Sequence, residues 1–119
     1  MTNYKTLEVW QLSMEIIKDV YELTKIYPKD EKYGLIGQTT RAAVSIATNI
    51  AEGMGRNHKK DTIQFLHISR GSSYEVETLL GIAQMVKIVD EQALNRISIK
   101  LERTIQMLNG LINYLEQKL

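Results

Sequence analysis

The sequence predicts an all-α fold, an antiparallel up-down-up-down four-helix bundle. Three observations carry this expectation: apolar residues recur at helical spacing in four stretches of similar length, period-two alternation is sustained nowhere, and Pro28 is the one proline in 119 residues. Helices of about 20–30 residues, rising ~1.5 Å per residue, make rods of about 30–45 Å. Short connections between such rods make consecutive helices antiparallel neighbours. The length suits one domain, 1–119, able to bury a core of its own.

The first helix is expected over 7–27. Leu7, Trp10, Met14, Ile17 and Tyr21 recur at three- and four-residue steps and share a face, and Pro28 ends the helix. A further row, Val9, Ser13, Ile16, Val20, Leu23 and Tyr27, carries the apolar face past halfway round the wheel. That exceeds what a four-helix core needs, so this row is the expected oligomer interface; the alternative is a broad core face with a few exposed aliphatics.

The second helix, 32–54, follows a charged linker over 28–32, with Asp30 as a candidate N-cap, and ends at Gly53 and Gly55. Ala42, Ala43, Ala47, Ala51 and Gly53 give it little bulk. Set against Gly71, Ser72 and Ser73 of the third helix, they predict a close helix pair. The third helix, 59–87, uses Phe65, Leu66, Ile68, Val76, Leu79, Leu80 and Ala83. The fourth, 90–117, starts at Asp90 as N-cap and repeats Leu94, Ile97, Leu101, Leu108, Leu111 and Leu115 at near-heptad spacing, a coiled-coil-like seam. The turn between them, 86–89, has neither Gly nor Pro.

Composition removes several chemistries. The chain has no cysteine, which excludes disulfides, thiolate catalysis and cysteine-ligated metal centres. The opening Met1-Thr2-Asn3-Tyr4-Lys5 does not read as a signal peptide, and no stretch approaches the roughly 18 apolar residues of a membrane span. A cytoplasmic protein without membrane contact is expected. Fifteen Lys and Arg against fourteen Asp and Glu leave a net charge of +1, so binding of any polyanion must come from local patches.

The stretch Thr40-Arg41-Ala42-Ala43-Val44-Ser45-Ile46-Ala47-Thr48-Asn49-Ile50-Ala51-Glu52-Gly53-Met54-Gly55-Arg56 resembles the signature of the four-helix-bundle family of 23S rRNA intervening-sequence proteins. The likeness continues through Gln64-Phe65-Leu66, Arg70-Gly71-Ser72 and Glu75-Val76-Glu77-Thr78. It opens at Tyr4-Lys5-Thr6-Leu7-Glu8-Val9-Trp10-Gln11 and includes Tyr33-Gly34-Leu35 with Gln38, covering nearly the whole chain. The resemblance implies a bacterial or archaeal homo-oligomer, with pentamers among relatives, and no assigned enzyme activity. Related proteins include the accessory variability determinant of diversity-generating retroelements, a pentamer that binds nucleic acid and a reverse transcriptase. Two positions depart from the pattern: Thr40 stands where many relatives have a second arginine, and His58 where a serine commonly caps the third helix.

Three polar constellations are candidate sites. Gln38, Arg41, Ser45, Asn49, Glu52 and Arg56 form a stripe on helix two; with Arg70, Tyr74 and Glu77 of helix three it either holds a ligand or, as the favoured reading, satisfies itself as a structural network. The loop Arg56-Asn57-His58-Lys59-Lys60 is the densest basic run and is expected to share one bundle end with Lys5 and Lys118, where it either neutralises phosphates or is simply solvated. The back face of helix four carries Arg96, Ile99, Lys100, Arg103, Met107 and Tyr114, suited to nucleic acid. Glu8, Glu15, Asp19 and Glu22 on helix one offer those cations an alternative partner.

No catalytic or metal residue and no cofactor are expected. His58 and His67 lie nine apart, without the i, i+3 or i, i+4 partner of a helical metal site. Arg56 and His58 are too close together for the arginine–histidine pattern of bundle-type ribonucleases, and neither Glu52 nor Glu75 has a nucleophile or phosphate loop beside it. The expected function is a non-catalytic homo-oligomeric scaffold that binds RNA, DNA or a partner such as a reverse transcriptase through Arg56, His58, Lys59, Lys60, Arg96, Lys100 and Arg103. The alternative is a self-assembling structural protein without nucleic-acid affinity.

Overall fold

Residues 3–119, described by a computed structural model, form four α-helices: α1 (Glu8–Thr24), α2 (Gly37–Met54), α3 (Lys59–Met85) and α4 (Glu91–Glu116). The described residues contain no strand. Each helix packs on two neighbours, α1 and α3 both lying against α2 and α4, in a body of 46 × 23 × 20 Å. Cross-helix partners run in opposite numerical sense, Gly53 with Thr62 and Ser45 with Ser72 between α2 and α3, and Lys59 with Lys118 and Arg70 with Asn109 between α3 and α4. The axis of the body is filled by Ile16, Val20, Ile46, Ile50, Leu66, Val76, Leu101 and Leu108, all fully buried. Each such side chain contributes roughly 1.5–3 kcal/mol of transfer free energy.

The expected close pair of α2 and α3 is present. A Cβ on Gly53 would stand 2.8 Å from the Phe65 Cβ and 3.2 Å from the Thr62 carbonyl oxygen, so only hydrogen fits there. At this distance short hydroxyls bridge the helices: Thr62 donates to the Gly53 carbonyl, Ser69 to the Ile46 carbonyl and Ser72 to the Ser45 hydroxyl, each at 2.8 Å. Gly71 is not part of the contact; it is exposed, with open space where a Cβ would be. Ser69, one turn from Ser72 and Ser73, takes the place assigned to it.

Helix α1 corrects the sequence reading. Val9, Ile16, Val20 and Tyr27, expected at an oligomer interface, are buried in the chain's own core, and Leu23 packs against it. The row expected inside is the outer one, with Met14 43% and Tyr21 53% exposed and Trp10 and Ile17 half-buried. Two adjacent apolar rows leave the rotation of a helix open; the acidic row decides it. Glu8, Glu15 and Asp19 meet the cations of α4, and that turns the Val9–Ile16–Val20 edge to the core and the Trp10–Met14–Tyr21 edge towards α2.

The connections also differ from expectation. Helix α1 ends at Thr24, ahead of Pro28, and α2 begins at Gly37 rather than 32. Between them lie a 3₁₀ turn (Lys29–Glu31) and a wide turn (Lys32–Ile36) in which Gly34 leaves helical geometry. Glu31, not Asp30, supplies the cap, accepting a hydrogen bond from the Leu35 N–H, and a Cβ on Gly34 would collide with that carboxylate at 2.6 Å. Asp90 caps α4 as expected, through the Ala93 N–H. The turn without Gly or Pro is closed by Lys87 in the left-handed region (φ 66°). Its N–H reaches the Gln84 carbonyl and that of Ile88 the Ala83 carbonyl, the paired bonds of a Schellman cap.

Two stability measurements check these contacts. Gly53→Ala should lower stability by about 1–3 kcal/mol in denaturant unfolding, because the methyl has no room against α3. Lys87→Gly should raise it by about 0.5–1 kcal/mol, since relief of the left-handed penalty exceeds the added freedom of the unfolded chain.

Candidate functional site

The back face of α4 is occupied within the chain. Lys100 Nζ lies 2.7 Å from Asp19 Oδ2 and 3.2 Å from Glu15 Oε1, Arg103 Nη2 lies 2.7 Å from Glu8 Oε1, and Arg96 Nε lies 3.7 Å from Asp19. Lys100 and Asp19 are the sheltered pair, with side chains 16% and 13% exposed. Burial alone lowers the Lys100 pKa, but the hydrogen bonds to Asp19 and Glu15 outweigh it and hold the ammonium above the ordinary lysine value. Of the two readings the sequence left open for Arg96, Lys100 and Arg103, the structure realises ion pairing to helix one.

The helix-two stripe splits into separate contacts. The Asn49 amide donates to both the carbonyl and the hydroxyl of Ser45, which also accepts from Ser72. Glu52 pairs with Arg56 at 3.4 Å, and the Arg56 guanidinium lies over the Phe65 ring at 4.8 Å. Arg70 turns away from the stripe to α4: one nitrogen donates to Asn109 Oδ1 and another to His67 Nδ1, both at 2.8 Å. Since a guanidinium only donates, His67 accepts at Nδ1. Gln38, Arg41 and Glu77 are exposed, and among the described residues neither Arg41 nor Glu77 has an ion-pair partner.

The basic loop lies beside the C-terminus, as the Lys59 ammonium donating to the Lys118 carbonyl at 3.2 Å shows. Lys118 itself sits over the Tyr114 ring, and Lys60 is exposed at the first turn of α3, where Asp61 faces the helix dipole. His58 is the N-cap position of α3 but makes no side-chain cap bond. Among the described residues, the cations at this end without a carboxylate partner are therefore Lys5, Lys59, Lys60 and Lys118. Among the described residues no cluster of three or more His, Asp or Glu is placed to hold a metal, and no helix is long and apolar enough to cross a membrane.

A surface that the sequence reading assigned to the core runs between α1 and α2. Trp10, Met14 and Ile17 face Val44, Thr48 and Ala51 across an apolar hollow of about 320 Å³. Tyr21 continues it past Thr40 and Arg41 into a second hollow of about 390 Å³. The signal was in the sequence, in the large residues of the Trp10 row opposite the small ones of helix two, but periodicity alone places such a row inside.

The model of the family described as 23S rRNA-intervening sequence protein matches residues 5–110. Among solved structures, the fold resembles the crystal structure of a protein of unknown function from the S23 ribosomal protein family of Bacteroides thetaiotaomicron. The two share 22% identity with a TM-score of 0.81, over 87% of this chain and 97% of that one. No curated protein matches the sequence.

Removing the cation of the sheltered pair tests its weight. Lys100→Met leaves the Asp19 carboxylate without its closest partner and should cost about 1–3 kcal/mol. Because the folded-state pKa of Lys100 is raised, its contribution is complete below the ordinary value of 10.5 and fades as pH climbs through the higher folded value. The stability difference from the parent chain should thus be level across neutral pH and shrink only in strong alkali.

Proposed function

The chain belongs to the 23S rRNA-intervening sequence protein family, and we propose that it is a non-catalytic, self-associating helical scaffold of the cytoplasm whose basic end engages nucleic acid. The observation that carries this reading is the contrast between two sides of α1. Ion pairs seal its seam with α4, whereas its seam with α2 is left apolar and open. Grouped exposed apolar residues beside small ones suit a protein contact rather than water. The up-down-up-down course, which the cross-helix pairings support, brings the α2–α3 loop, the start of α1 and the end of α4 to one end. Lys59, Lys60 and Lys118 there serve as phosphate contacts, and the family name makes RNA the first polymer to try.

Titration of labelled RNA and DNA at several salt concentrations tests the nucleic-acid part. Binding should weaken as salt rises, and Lys59→Ala with Lys60→Ala should reduce the log–log salt slope by about 2. Arg96→Ala should leave that slope unchanged, since Arg96 is directed to Asp19. Absence of binding at low salt would leave a self-assembling protein without nucleic-acid affinity. Light scattering at micromolar concentration tests association: a mass of 13.7 kDa is the outcome that defeats it.

A further inference from the structure

Helix α4 outruns α1 at the basic end. Arg103 meets Glu8, the first residue of α1, and Tyr114 lies about 16 Å further along α4. The 3₁₀ turn Tyr4–Thr6 that leads into α1 packs on α1 and α2. Tyr114 is 57% exposed. Side chains on a helix lean towards its N-terminus. Lys118 reaches back in this way over the Tyr114 ring, its ammonium 5.3 Å from the centroid. By the same rule the ring leans towards Gly110, which is exposed and has open space where a Cβ would stand. One side of the ring thus carries a cation, and the other borders a turn without a side chain.

We infer, on the nucleic-acid reading proposed above, that this end takes single strands: a base stacks on Tyr114 beside Gly110, while Lys59, Lys60 and Lys118 meet the neighbouring phosphates. Sequence-tolerant binding of single strands combines these two elements, an aromatic face and cations that track the backbone. A duplex covers its base faces by stacking, so only its two ends present one. The Lys59 ammonium reaches the Lys118 carbonyl at 3.2 Å, which ties the cations of α3 to the turn that follows Tyr114. The carboxylates of this end leave the ring to a base. Glu8 pairs with Arg103, Glu52 pairs with Arg56, and Asp61 faces the α3 dipole. Glu116 stands about 160° round the helix from Tyr114. Gly110, a poor helix former with no neighbour that requires its small size, gains a role as the clearance beside the ring.

Binding of a labelled RNA strand of about 12 nucleotides, alone and annealed to its complement, tests this at several salt concentrations. The single strand should bind more tightly than the duplex. Tyr114→Ala should weaken single-strand binding by about 5- to 150-fold and leave the salt slope unchanged, because it removes a ring and no charge. Tyr114→Phe should bind as the parent does, since stacking needs the ring and not the hydroxyl. Gly110→Leu, which favours the helix while filling the clearance, should also weaken single-strand binding, with helical circular dichroism retained. Duplex binding should be alike in the parent and all three variants. Salt-dependent binding that is indifferent to Tyr114→Ala overturns stacking and leaves the phosphate contacts of the basic end standing. Equal loss in Tyr114→Phe and Tyr114→Ala, or a duplex bound as tightly as the single strand, overturns it as well. No binding of either probe at low salt overturns this inference together with the nucleic-acid reading.

Discussion

At Gly53 the backbone of α2 comes so near α3 that a methyl group would strike Phe65 and the Thr62 carbonyl. That approach sets the spacing of the whole bundle, because α1 and α4 must then close around a narrow pair. It also explains an unusual core composition. Thr62, Ser69 and Ser72 are buried on α3, yet their hydroxyls have partners, since the facing α2 carbonyls and Ser45 are within reach, while the buried Ser73 donates to the Ser69 carbonyl of its own helix. A wider spacing would take the cross-helix acceptors from Thr62, Ser69 and Ser72, at about 1–3 kcal/mol for each hydroxyl left without another partner. Small residues and short hydroxyls are thus one device, in which close approach supplies the acceptors.

The second constraint is electrostatic and concerns rotation. Helix α1 is apolar over more than half its circumference, so burial by itself admits more than one orientation. The row Glu8, Glu15 and Asp19 opposite Arg103, Lys100 and Arg96 selects among them, most firmly where Lys100 and Asp19 are sheltered from water. The same selection pairs these cations with carboxylates of their own chain and carries Trp10, Met14 and Tyr21 to the surface. One set of ion pairs therefore sets both the contacts of the α4 cations and the opening of the α1–α2 face.

Charges outside this set are placed differently. Lys59, Lys60 and Lys118 gather at a bundle end, while Arg41 stands beside the apolar face with Glu52 further along the same line. Arg70, drawn by the sequence into a stripe with Glu52, bridges instead to Asn109 and His67. Polar residues that share a helix face in projection are not one site; their partners on other helices divide them.

Read alone, the sequence determined four helices, the close α2–α3 pair and the Asp90 cap, because periodicity, side-chain bulk and capping chemistry are local properties. It also set the absence of thiol chemistry and carried the family signature. It did not determine which row of α1 faces inward, where α2 begins, or what Arg70 and Lys100 touch. These depend on groups distant in the chain: a carboxylate row finding a cationic row more than 80 residues away, and Gly34 making room for the Glu31 carboxylate. Helical periodicity ranks the faces of one rod; only the packed bundle, where each rod's charges and bulk meet those of two others, chooses the face that is buried and the face left open.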